Sequence, residues 1–127
     1  MNQPDHPGQP SPLEHERLDV YRLATEFLRF ALRACDALAK KDTELRDQLR
    51  RRAIAIPVNV AEACGQYAVG DRTRYFSSAR CLSLECAALV DVAYLSGAAS
   101  QADTAEAKKL LERMVTLLTR LSRASSC

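Results

Sequence analysis

Arg46, Arg50, Arg51 and Arg52 crowd one short stretch of this chain, and Arg72, Arg74 and Arg80 crowd a second. Guanidinium forks suit phosphate oxygens, so clustered arginines point to polyanion contact. Tyr67 and Tyr75 lie beside the second cluster, and tyrosine rings can stack on unpaired bases. Arg17, Arg22, Arg29 and Arg33 form a further run, and such clusters repeated around an assembly would make a basic belt. The bland reading stands beside this one. Arginines near Glu44 or Asp47 also make an ordinary solvated, ion-paired face, and one could pair with Glu62 or Glu85 of a neighbouring copy. The residues expected to touch a polyanion are Arg50, Arg51, Arg52, Arg72 and Arg74.

Covalent and metal chemistry find little support. Both histidines, His6 and His15, lie in or beside a proline-rich N-terminal stretch. No Glu-x-x-His pair, His-Glu-x-x-His run, phosphate-binding glycine loop or Gly-x-Ser-x-Gly turn occurs. The five cysteines, Cys35, Cys64, Cys81, Cys86 and Cys127, are odd in number and form no Cys-x-x-Cys. They read as buried free thiols of a cytosolic protein. The expectation is a non-enzyme with no cofactor, no metal and no catalytic residue.

The elements that carry the arginines are helices. With 127 residues, 47% hydrophobic and 27% charged, the chain suits one domain, and its net charge of +2 leaves any nucleic-acid affinity to local clustering. Residues 1–12 hold four of the five prolines and read as a disordered tail, with no signal-peptide pattern. No run reaches a membrane span. Apolar residues then recur at helical spacing in four segments. The first runs from Leu18 to Ala39. The second begins near Glu44, capped by Asp42 or Thr43, and stops near Gly65. The third starts at a capping Asp71 and stops at Gly97. The fourth follows a Ser100 or Asp103 cap. Four such helices with short connections predict an all-α, antiparallel up-down-up-down four-helix bundle over residues 13–127.

Two features exceed what a monomeric bundle needs. The first and second helices carry more than one apolar stripe, and residues 53–64 are apolar nearly all round apart from Asn59 and Glu62. A face of that kind predicts self-association. The second feature is Pro57, which lacks an N–H and crowds the carbonyl of Ala53. The apolar phase continues across it, which favours a kinked helix over a broken one. Asn59 and Glu62 share a face three residues apart and need polar partners. They are expected, with Pro57 and Glu85, to form a structural polar network at a helix or subunit seam, with a ligand or RNA contact as the sharper alternative.

The segment "QLRRRAIAIPVNVAEA", residues 48–63, resembles the four-helix-bundle family often encoded in intervening sequences of bacterial 23S rRNA genes. Gln48, Leu49, Arg50, Arg51, Ala53, Ile56, Pro57, Asn59, Ala61 and Glu62 match its Q-L-R-R-A-A-x-S-I-P-x-N-I-A-E-G pattern in order. "LDVYRLA" (18–24) is similar to the family's opening, and Phe76, Ala79 and Glu85 to its aromatic-rich third helix. Cys81 and Leu82 replace a Gly-Ser pair, and Ala63 replaces a glycine. The resemblance implies a ring-like homo-oligomer, commonly a pentamer. It also implies kinship in architecture with accessory proteins of diversity-generating retroelements, which bind nucleic acid and a reverse transcriptase. Two functions follow as expectations. One is a homo-oligomeric module binding structured RNA or DNA, or a nucleic-acid-bound protein. The other is a protein-interaction scaffold with no nucleic-acid contact.

Overall fold

A computed structural model describes residues 13–123. The expected tail at residues 1–12, and Cys127, lie outside them. A 3-10 turn at Glu14–Arg17 leads into four helices: α1 (Asp19–Leu38), α2 (Thr43–Cys64), α3 (Val69–Leu95) and α4 (Gln101–Arg123). Each packs on its neighbour in the chain, and α1 also packs on α4. This is an antiparallel up-down-up-down bundle. The described residues contain no strand.

Local chemistry sets the helix ends. Asp42 accepts a hydrogen bond from the Leu45 N–H at 3.0 Å, capping α2, and Arg46 donates to the Ala39 carbonyl at 3.1 Å just past α1. Ser100 accepts from the Asp103 N–H at 3.0 Å and caps α4. Gly97, at φ +82°, takes the left-handed conformation that terminates α3. The expected Asp71 cap is corrected. The cap position lies three residues earlier, at an extended Ala68, and Asp71 sits in the first turn of α3. There its charge still complements the helix N-terminus, and it pairs with Arg74 at 3.2 Å.

The core is continuous across all four helices. Phe27 and Ala31 of α1, Leu49, Ile56 and Val60 of α2, Phe76, Cys86 and Val90 of α3, and Leu111, Met114 and Leu118 of α4 belong to one buried cluster. Transfer of the larger aliphatic and aromatic side chains among them from water stabilises the fold by roughly 1.5–3 kcal/mol each. α2 runs unbroken through Pro57, whose ring is buried, so the alternative of a helix split near Ile56 is excluded. A bend there remains an expectation from proline's missing donor. Asn59 donates from Nδ2 to the Ala55 carbonyl at 2.8 Å, so this polar side chain is satisfied one turn back in its own helix.

Candidate interaction surface on the second helix

α2 turns Leu49, Ala53, Ile56, Val60 and Ala63 into the core. Its opposite side should be polar by the rule for surface helices. It carries instead Ile54, 38% exposed, and Val58, 54% exposed. With Pro57 and Ala61 they line one wall of an apolar groove of about 490 Å³, whose other wall is Tyr21, Thr25 and Leu28 of α1. Glu62 stands exposed at the rim. Its carboxylate has no hydrogen-bond or ion-pair partner among the described residues.

The expected polar network is not assembled within one chain. Asn59 bonds its own helix, Glu62 faces out over the groove, and Glu85 pairs with Arg52 across the α2–α3 seam at 2.7 Å. Asn59 and Glu62 share a flank of α2 but do not meet, because Asn59 turns back on its own helix while Glu85, on α3, is held by Arg52.

The five candidate arginines separate in the same way. Arg52 is taken by Glu85. Arg72 braces the turn after α2, donating to the carbonyls of Cys64 (3.5 Å) and Gln66 (3.3 Å) and to Glu14 (3.1 Å). Arg74 pairs with Asp71 and lies over the Tyr75 ring at 5.2 Å. Only Arg50 and Arg51 of the five are exposed and without an ion pair among the described residues. The clusters also lie apart. Arg52 meets Glu85 while Arg72 meets the end of α2, so about 13 residues of helix, or ~20 Å, separate the two groups along the bundle. Tyr67 is fully exposed in the α2–α3 turn, at the Arg72 end.

The thiols are corrected in one case. Cys35 and Cys86 are buried and Cys64 is half-buried, but Cys81 is exposed on α3. Burial pushes Cys35 and Cys64 upward from the ordinary thiol value and Cys86 up to about 12, although Arg52 pulls the last down. Among the described residues, no three His, Cys, Asp or Glu side chains gather as a metal-binding group, and no helix is long and apolar enough to cross a membrane.

The helical order, the proline inside α2 and the asparagine and glutamate behind it now stand together. A sequence profile of 23S rRNA-intervening sequence proteins matches residues 16–120, from the 3-10 turn into the last turns of α4. The chain belongs to that family. No individually curated protein matches it in sequence. In this intervening-sequence protein the groove's α1 wall, and the bracing by Arg72, were invisible to sequence reasoning. Tyr21, Thr25 and Leu28 reach the groove through tertiary packing, and Glu14 lies 58 positions from Arg72.

Proposed function

We propose that this intervening-sequence protein is a non-catalytic, self-assembling helical module that presents arginines to RNA. The observation that carries the reading is the outward face of α2, where exposed Ile54 and Val58 lie one and two turns from the unpaired Arg50 and Arg51. Exposed aliphatic residues lining a groove are covered more favourably by protein than by water. Free guanidinium groups beside that contact are available to phosphate oxygens, and assembly multiplies them. A closed ring requires contacts between unlike faces. Leu84, Val92 and Leu95, exposed along α3, offer a second face, and five copies is the number the resemblance implies. The cytosol is the setting proposed.

A scaffold that binds only protein is the second reading, favoured by the fact that Arg52, Arg72 and Arg74 already have partners. A titration of structured RNA and duplex DNA over a salt series separates the two. The RNA reading expects affinity that falls steeply with salt, and a large loss in Arg50→Ser/Arg51→Ser. Absence of binding at low salt removes it and leaves the scaffold.

A further inference from the structure

Lys109, Arg113, Thr116 and Arg120 recur along α4 at steps of four, three and four residues, so they share one face over about 16 Å of helix. All four are exposed, on the side opposite the buried Ala107, Leu111, Met114 and Leu118. No ion pair reaches the three cations among the described residues. Residues 113–123 carry Arg113, Arg120 and Arg123 and no acid. Arg80 of α3 joins this ridge from the side. Its Nε donates to the Thr119 hydroxyl at 2.8 Å, and it too lacks an ion pair among the described residues. The acids stand at the flanks. Asp19, across a shallow cleft of about 400 Å³ from Arg113 and Arg120, is held by Arg22. Glu112 lines that cleft and the groove toward α3, and Glu106 lines the cleft toward α1.

We infer that the outward ridge of α4 is a second contact for the phosphate backbone of RNA, with Arg113 and Arg120 at its centre and Arg80 and Lys109 beside them. The inference rests on the RNA reading above and adds a surface that no arginine run in the sequence marks. Cations in the last turn of a helix complement its dipole, which accounts for Arg120 and Arg123. That effect fades within one turn, so Lys109 and Arg113 need another cause. Among the described residues, none of the exposed large hydrophobic side chains lies on α4. A protein partner needs an apolar centre to its contact, whereas a phosphate backbone is held by charge and hydrogen bonds alone. The ridge supplies the second and not the first. α4 packs on α1 and α3 and stands diagonal to α2. Its outward side therefore faces away from Ile54 and Val58 and stays open when they are covered.

The test is titration of a labelled RNA hairpin with the full chain across a salt series. Wild type is compared with Arg113→Ser/Arg120→Ser, Arg113→Lys/Arg120→Lys and Lys40→Ser/Lys41→Ser. The last pair removes the same charge from the exposed α1–α2 turn. Thermal melts confirm that each variant folds. The serine variant of α4 is expected to bind about tenfold or more weakly, with a plot of log K against log salt shallower by about 1.5, as two lost phosphate contacts require. The lysine variant keeps most of that slope, because the charges remain. The turn variant loses much less affinity than the serine variant of α4. A wild type that binds RNA while the serine variant of α4 keeps its affinity and slope, or falls only as far as the turn variant, overturns the ridge and leaves the RNA reading on Arg50 and Arg51. A wild type that binds no RNA at low salt overturns that reading and the ridge together.

Discussion

α1 and α2 are neighbours of similar length, yet they solve opposite problems. α1 buries Val20, Leu23, Phe27, Phe30, Ala34 and Leu38, and gives its outer side to Arg22, Glu26, Arg29, Arg33 and Asp36. Its second apolar row, Tyr21 and Leu28, is half-buried against the core and lines the groove beside α2. α2 buries an equally regular row from Leu45 to Ala63 and then repeats apolar residues on the outside. The bundle is complete without Ile54 and Val58, since the core closes through Leu49, Ala53, Ile56 and Val60. Inward apolar residues are explained by folding, and outward ones on α2 require a different cause.

That contrast predicts a graded set of effects. The largest belongs to the inward side. Phe27→Ala removes a fully buried ring and should cost about 3–5 kcal/mol in denaturant unfolding. A loss under about 1 kcal/mol there would mean that α1 is not a core helix in solution.

The next effect is pH-dependent. Cys86 has a folded-state pKa pushed up to about 12 from an ordinary value of 9.0, mainly by burial. Between those values the unfolded chain loses a proton that the folded chain keeps, so stability falls as pH rises above 9.0. The loss should approach roughly 3 kcal/mol near pH 11. Melts from pH 8 to 11 should fall more steeply in wild type than in Cys86→Ala, and parallel slopes would contradict the burial. Among the four described cysteines, a thiol reagent should label exposed Cys81 first and Cys86 last in the folded protein.

Arg72→Ala comes third. It frees the carbonyls at the end of α2 and the Glu14 carboxylate, and should cost about 1–2 kcal/mol. Amide exchange should rise in the α2–α3 turn and the 3-10 turn while the centre of α2 stays protected. The smallest stability effect falls on the outward side. Ile54→Ser and Val58→Ser should each change unfolding of the isolated bundle by about 0.5 kcal/mol or less, being surface positions.

Much of the bundle was legible because helix signals are local. Asp42 and Ser100 sit where the cap rules place them, and the apolar phase carried through Pro57 foretold a continuous α2. Asn59's partner was within reach too, since an amide in a helix finds the carbonyl four residues back. What stayed hidden depends on distant contacts. Arg52 and Arg72 look like free cations in a basic run until α3 brings Glu85 to one and the 3-10 turn brings Glu14 to the other. The separation of the two arginine clusters follows from the antiparallel register of α2 and α3, which no local pattern encodes. The start of α3 was misread because Asp71 is a good capping residue, while the helix begins at Val69 without any side-chain cap.

The contrast between α1 and α2 meets its most direct test in the mass of the protein in solution. Sedimentation velocity of wild type and Ile54→Ser/Val58→Ser over a wide concentration range measures it. A multimer in wild type that falls to a single bundle in the variant, with the thermal midpoint of the bundle nearly unchanged, is the expected result. Equal masses for the two proteins would contradict it, because the outward apolar face of α2 would then have no part in assembly.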